Sequence, residues 1–85
     1  DYLGFGPCFP TRSKENPWPV VGLAALAEVC RAVRIPVVAI GGITAATIAD
    51  VARAGAAAAA VIGAIRDAAD PCAAAVELAA RFYQP

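Results

Sequence analysis

The side chains of this sequence that are best suited to chemistry stand together as Thr11, Arg12, Ser13 and Lys14. Two hydroxyls, a guanidinium and an ammonium all donate hydrogen bonds to anionic oxygens, the guanidinium as a planar fork and the ammonium as a compact charge. Lys14 is the only lysine among the seven basic side chains, so its position here is informative. The segment predicts a loop that binds phosphate, although an ordinary solvated loop has the same composition.

Two glycine-containing turns offer backbone N–H groups to the same kind of ligand. One is centred on Gly42, between Gly41 and Ile43, and the other on Ile62 and Gly63. Glycine lets the backbone approach a ligand closely, and successive N–H groups form a concavity that binds anions. A tight turn without any ligand would use the same glycines, so neither turn is decisive alone. Each of the three segments follows a predicted strand, and ligands bind at the carboxyl ends of parallel strands.

The elements that must position these segments follow from the apolar pattern. Short apolar segments predict strands at residues 2–6, 37–40 and 58–62, although the alanines of the third have low strand propensity. Helical spacing predicts helices from Leu23 to Val33, from Thr44 through Ala52, and from Asp70 onward. Strand, loop and helix therefore follow one another three times. This order is typical of an α/β fold with parallel strands and right-handed crossovers.

Particular residues are expected to begin and end the helices. We expect Thr44 to be the N-cap of the second helix and Gly55 to be its C-terminal glycine. Asp70 and Pro71 are expected to begin the third helix, as acceptor and first helical residue. The residues expected on the buried face of that helix are Ala75, Val76, Leu78, Ala79 and Phe82.

The composition excludes several classes of protein. Apolar residues make up 60% of the chain, which excludes a disordered protein. Seven acidic side chains balance seven basic ones, so the chain has no net charge that would attract nucleic acid or a membrane surface. Without histidine it has no His-based catalytic triad and no Cys/His metal site. Three cysteines with no C-x-x-C pair indicate free thiols in a reducing cytoplasm. The longest uncharged stretch, Ile35–Ala49, is shorter than the roughly 20 residues of a membrane span.

The chain is also short for the fold that its pattern indicates. Its 85 residues are far fewer than the roughly 250 of a complete (β/α)8 barrel. It begins with Asp1 and contains no methionine, from which we expect a truncated product. The second and third strands have no polar alternation, so the sheet is expected to expose an apolar face. The rest of the barrel or a partner chain would have to cover that face.

Four segments resemble the C-terminal part of the thiamine phosphate synthase family: residues 1–14, 35–43, 54–56 and 60–65. The stretch from Gly4 to Lys14 is the specific part, since the Gly-Gly-Ile turn is shared by many phosphate-binding barrels. The resemblance covers essentially the whole chain. It implies a partial TIM (β/α)8 barrel, with residues 1–85 forming the last three βα units of one domain whose N-terminal part is absent.

The resemblance also implies an activity. The family joins hydroxymethylpyrimidine diphosphate to a thiazole phosphate and releases pyrophosphate, so small-molecule substrates are the expected partners. Lys14 matches the lysine that holds the diphosphate, and it is the expected catalytic residue. The matched substrate-binding positions are Thr11, Arg12, Ser13, Lys14, Gly42, Ile62 and Gly63.

Two departures from the family qualify this expectation. The family usually has serine at the position of Gly63, so a hydroxyl is lost while the backbone N–H remains. The aspartates that bind Mg²⁺ and the residues that bind the pyrimidine belong to earlier strands, so no metal ligand is expected in this chain. Inactivity of the isolated chain is therefore expected. The alternatives are a non-catalytic phosphate-binding or assembly half-barrel and a thiazole tautomerase-like relative, the latter disfavoured by Thr11–Lys14.

Overall fold

The computed structural model describes residues 1–9 and 22–84, which form three parallel strands and four helices. The order of strand and helix confirms the three βα units predicted from the sequence. The strands are β1 (Leu3–Phe5), β2 (Val37–Ile40) and β3 (Ala58–Ala60). The helices are α1 (Gly22–Ala32), α2 (Ile48–Arg53), α3 (Gly63–Arg66) and α4 (Pro71–Tyr83).

The strands lie in one parallel sheet in the order β1-β2-β3. Leu3 is the partner of Val37, and Ile40 is the partner of Ala60, so the strands end close to the same level. The three alanines of β3 have a higher intrinsic propensity for helix than for strand. They form a strand because they pair with β2 and because they follow α2 in the chain. β3 ends at Ala60, two residues before the predicted end at Ile62.

Only one face of the sheet is buried by the helices. Val37 and Ala39 of β2 are buried and pack with Leu26 of α1 and Val51 of α2 in the core. The alternate residues of β2 point the other way, and Ile40 is 41% exposed. The apolar run that is typical of a strand buried on both faces is therefore buried on one face in this chain, and the other face is open.

The helix boundaries confirm two of the three predicted caps. Asp70 precedes α4, and its Oδ1 accepts a hydrogen bond of 3.1 Å from the Ala73 N–H. Gly55 follows α2 with a φ of 109°, a left-handed conformation that glycine adopts without strain. The prediction for Thr44 is wrong, because α2 begins at Ile48 and its N-cap is Thr47. Thr44 instead begins a separate turn before the helix.

The buried face of α4 is narrower than predicted. Leu78 is buried and Phe82 is partly buried, whereas Ala75, Val76 and Ala79 are exposed. The difference arises because α4 packs against α2 and α3 along one narrow strip and leaves its remaining apolar surface open. The short helix α3 was not predicted, because four residues are too few to show a helical period. Within the described part of the chain, none of the helices is long and apolar enough to span a bilayer.

Candidate functional site at the carboxyl edge of the sheet

All three predicted binding segments follow a strand end at the same edge of the sheet. β1 is followed by Gly6 and the segment that leads to residue 10, and β2 is followed by Gly41 and Gly42. β3 is followed by Val61 and Ile62. Ile40 and Ala60 are register partners at the ends of β2 and β3, so the turns that contain Gly42 and Ile62 start at the same edge of the sheet. The sheet therefore brings the Gly42 turn and the Ile62 turn to one side of the molecule.

Hydrogen bonds extend the pairing of β1 and β2 beyond the strands. The Cys8 N–H donates to the Ile40 carbonyl at 2.9 Å, and the Phe9 N–H donates to the Gly41 carbonyl at 3.1 Å. The chain thus leaves β1 beside the Gly41 turn. Sequence reasoning missed this contact, because it depends on the register of two strands that are distant in sequence.

The four polar residues of the first segment follow shortly after this point. Thr11, Arg12, Ser13 and Lys14 lie outside the described residues, so their predicted roles stay predictions. The described neighbour that leads to them, Phe9, is hydrogen-bonded to Gly41. The entrance to the predicted phosphate loop is therefore fixed next to the second predicted turn.

Gly41 and Gly42 adopt a backbone conformation that favours glycine. Their φ angles are 100° and 67°. A Cβ on Gly41 would lie 2.7 Å from both Cα and Cβ of Pro7, which is closer than real contacts allow. The glycine at position 41 is therefore required by local packing, whether or not a ligand binds. The exposure of Gly42 is intermediate, so its backbone borders solvent at this edge.

A hydrogen-bonded turn connects Gly42 to α2. The Thr44 N–H donates to Thr47 Oγ1 at 3.0 Å, and the Thr44 carbonyl accepts from the N–H groups of Thr47 and Ile48 at 3.1 and 2.9 Å. Thr47 therefore stabilises the backbone of the turn that Thr44 was expected to cap. The turn holds the segment after Gly42 in one conformation.

The third turn is open to solvent. The Ile62 side chain is 71% exposed, and Gly63 begins α3. A Cβ on Gly63 would make only ordinary contacts, 3.6 Å from Asp67 Oδ2 and 3.9 Å from an Arg66 nitrogen. The Cβ of the serine that the resemblance implies at this position would therefore fit without displacing these neighbours.

Described charges near the third turn are already engaged. Arg66 donates from Nε to Asp67 Oδ1 at 3.0 Å and from Nη2 to Oδ2 at 3.2 Å. This hydrogen bonding, with the negative charge of the Asp67 carboxylate, raises the pKa of the Arg66 guanidinium above its ordinary value. The positive charge for an anion at this edge is therefore expected from Arg12 and Lys14.

The Cys8 thiol at this edge is buried and neutral. Its Sγ donates to the Phe5 carbonyl at 3.5 Å, and burial raises the pKa of the thiol. A hydrogen bond from the backbone near Ile40 opposes this rise, and the neighbouring Cys30 adds to it. Thiols react as thiolates, so Cys8 serves packing rather than nucleophilic catalysis.

The described acidic side chains do not form a Mg²⁺ site. Asp50 pairs with Arg53 at 3.1 Å, Glu77 pairs with Arg81 at 3.0 Å, and Asp70 caps α4. Across residues 1–9 and 22–84 no three potential ligands come together. The described residues therefore offer no set of ligands for the Mg²⁺ that the resemblance implies.

An apolar cavity of about 270 Å³ lies between β3, α3 and α4, and its lining includes Val61 next to the third turn. Its walls include Ala59, Leu78 and Phe82 and carry no charged side chain. Phosphate requires donors or positive charge, so this cavity is not suited to it.

Comparison with known proteins identifies the relatives of this chain. The family model described as thiamine monophosphate synthase matches residues 1–65. A thiamine-phosphate synthase of Anaeromyxobacter dehalogenans is 61% identical over 82 residues, which cover 96% of this chain and 37% of the relative. One from Methanocella arvoryzae is 56% identical over 84 residues, covering 99% of this chain and 40% of the relative.

A solved structure shares the fold. The thiamine phosphate pyrophosphorylase of Pyrococcus furiosus superposes with a TM-score of 0.86 at 39% identity, over 99% of this chain and 39% of that protein. This likeness confirms the predicted fold class, part of a TIM-barrel type of α/β fold with parallel strands. The chain spans about two fifths of the length of these relatives.

Proposed function

This chain belongs to the thiamine monophosphate synthase family, and on that premise we propose that it forms the phosphate-binding side of a thiamine phosphate synthase. Residues 1–85 would be the C-terminal part of a single barrel domain. The observation that carries the proposal is the common edge at which all three strands end. There the chain that leads to Thr11–Lys14 is hydrogen-bonded to Gly41, beside the Gly42 turn.

The proposed reaction forms a C–N bond and breaks a C–O bond. The bond between the pyrimidine methylene carbon and the diphosphate oxygen breaks first, and its electron pair leaves with pyrophosphate. The resulting pyrimidine carbocation is captured by the lone pair of the thiazole nitrogen, which gives thiamine phosphate. No proton or redox equivalent has to be supplied for this balance.

The residues of the chain divide between the two anionic groups. We assign the thiazole phosphate to the backbone N–H groups around Gly42, Ile62 and Gly63 and to the donors of the Thr11–Ser13 segment. Lys14 would hold the diphosphate and stabilise the negative charge that develops on it as the C–O bond breaks. The common edge at which the Gly42 and Ile62 turns begin supports a single ligand touching both.

The remaining requirements of the reaction lie with other residues. We infer that the Mg²⁺ implied by the resemblance is bound by residues outside this chain, as is the pyrimidine ring. We also infer that the rest of the barrel covers the open sheet face, where Ile40 is 41% exposed. The three free cysteines support a location in the reducing cytoplasm.

The test is synthesis of thiamine phosphate by the complete protein that carries this chain, from both substrates with Mg²⁺. We expect Lys14→Ala to lower kcat by about 10²–10³-fold, the effect of removing one donor to developing negative charge. Arg34→Ala is the matched control, because Arg34 is an exposed cation that precedes β2 at the opposite edge of the sheet. Its kcat should stay within about twofold of the wild type, as expected for a surface change away from the chemistry.

Two results would contradict the proposal. Absence of thiamine phosphate with the complete wild-type protein would refute the activity, and unchanged kinetics of Lys14→Ala would refute the role of Lys14. The isolated 85-residue chain should give no product with the same substrates. Turnover by that chain would show that the missing pyrimidine-binding and metal-binding residues are not needed.

A further inference from the structure

Arg81 of α4 makes a long-range hydrogen bond to the segment that follows the Gly42 turn. Its Nη1 donates to the Ala45 carbonyl oxygen at 3.0 Å, across 36 positions of sequence. Its Nη2 donates to Glu77 Oε2 at 3.0 Å, one helical turn earlier on α4. The sequence predicts the pair with Glu77 from its i, i+4 spacing, but it gives no indication of the bond to Ala45.

The Ala45 carbonyl takes no part in the described backbone hydrogen bonds of the turn before α2. Ala45 precedes α2, and the N–H groups of Thr47 and Ile48 donate to Thr44 instead. Within residues 1–9 and 22–84 no backbone N–H donates to the Ala45 oxygen. A side-chain donor therefore satisfies a carbonyl that the local backbone leaves open, and the guanidinium can do so while it pairs with Glu77.

The hydrogen bond from Arg81 to Ala45 matters because Ala45 follows the Gly41–Gly42 turn closely in the chain. Gly41 and Gly42 have positive φ and no side chains, so no side-chain packing of their own holds the turn in place. It is fixed from both sides by hydrogen bonds. The Phe9 N–H holds the Gly41 carbonyl on one side, and Arg81 holds Ala45 on the other.

We propose that Arg81 is a positioning residue for phosphate binding at the Gly42 turn. It acts through the Ala45 carbonyl and the Thr44–Thr47 turn, and it does not touch the substrate. This inference rests on the proposed function in one respect, that the Gly42 backbone binds the thiazole phosphate. If Arg81 only stabilised the surface, its substitution would have the same effect as that of any other exposed, ion-paired arginine of the chain.

The test compares Arg81→Ala with Arg53→Ala in the complete protein. Arg53 pairs with Asp50 on α2 and is similarly exposed, 59% against 50% for Arg81, but it makes no described contact with the turn. We expect Arg81→Ala to raise the KM for thiazole phosphate by about three- to tenfold, as loss of one hydrogen bond of ordinary net strength implies. The KM for the pyrimidine diphosphate and kcat should change by less than about twofold. Arg81→Lys, which keeps a cationic donor, should recover part of the loss.

A second readout does not depend on activity. Amide hydrogen exchange should become faster at Thr44, Thr47 and Ile48 in Arg81→Ala, because the turn loses its anchor on one side. Arg53→Ala should leave these amides unchanged. If the complete wild-type protein makes no thiamine phosphate, the proposed function fails, while the exchange experiment still tests the anchoring by Arg81.

Other outcomes would overturn the inference while the function stands. One is a KM for thiazole phosphate that is the same in Arg81→Ala and Arg53→Ala. Another is a decrease in kcat and an increase in both KM values by the same factor, together with a lower Tm. That result would indicate a structural role only. Unchanged exchange at the turn would refute the anchoring itself.

Discussion

Two glycines show why the ends of β1 and β2 can lie so close together. A Cβ on Gly6 would overlap the Ile40 carbonyl group, and a Cβ on Gly41 would overlap Pro7. The Ile40 carbonyl in turn accepts the Cys8 N–H at 2.9 Å. The absence of side chains at these two positions therefore permits the hydrogen bonds that fix the start of the predicted phosphate loop beside the Gly41 turn.

Gly6→Ala should destabilise the complete protein by about 1–3 kcal/mol, the usual range for overpacking. The overlap is with backbone atoms of Ile40, so rotation of a side chain cannot relieve it. Gly63→Ala is the matched control, because its Cβ would make only ordinary contacts, and it should change the stability by less than about 0.5 kcal/mol. Denaturant unfolding measures both, and equal stabilities for the two variants would contradict the proposed close approach.

At the scale of elements, the apolar pattern predicted the features that several residues of one segment specify together. α1 and β2 lie where the pattern placed them, since each contains several apolar residues at the spacing of its element. The start of α2 was misplaced because Thr44 and Thr47 are both good caps, and only the hydrogen bonds of the folded turn distinguish them. Burial on α4 was overestimated because periodicity identifies an apolar face but not what covers it.

The same reasoning explains how much of the candidate site was predictable. The order of strands and turns placed Gly42, Ile62 and Gly63 at one edge, because parallel strands bring their carboxyl ends together. The contacts of Cys8 and Phe9 with β2, and that of Arg81 with Ala45, were not predictable. Each depends on register or on the relative position of two distant elements, for which no single segment carries a pattern.

The N-cap of α4 allows a quantitative test at this scale. Asp70→Ala removes the acceptor of the Ala73 N–H and should lower the free energy of unfolding by about 1 kcal/mol. Asp70→Ser keeps a side-chain oxygen at this position and should retain most of the stability. Glu28→Ala, which removes an exposed carboxylate from within α1, is the control and should have an effect below about 0.5 kcal/mol. A loss in Asp70→Ala no larger than that in Glu28→Ala would show that the cap contributes little.

At the scale of the whole molecule, the sheet has one face that the helices cover and one face that is open. Leu3, Phe5 and Ala59 share the buried side with Val37 and Ala39. The other side carries Gly4, Val38, Ile40, Ala58 and Ala60, as the register pairs them. All five residues are small or apolar, and no charge interrupts them. An apolar face of this kind marks a surface that is covered by more protein or that drives association.

The isolated 85-residue chain should therefore self-associate at micromolar concentration, and Ile40→Lys should reduce that association. The Ile40 side chain extends across Gly4, since a Cβ on Gly4 would lie 3.1 Å from Ile40 Cδ1. A lysine at position 40 would therefore place a charge in the centre of the open face. Val76→Lys is the matched control, because Val76 is an apolar side chain of α4 that is 71% exposed on the helical side. Sedimentation velocity would measure the association of all three chains. A monomeric wild-type chain, or equal effects of the two substitutions, would show that the open face does not require a cover.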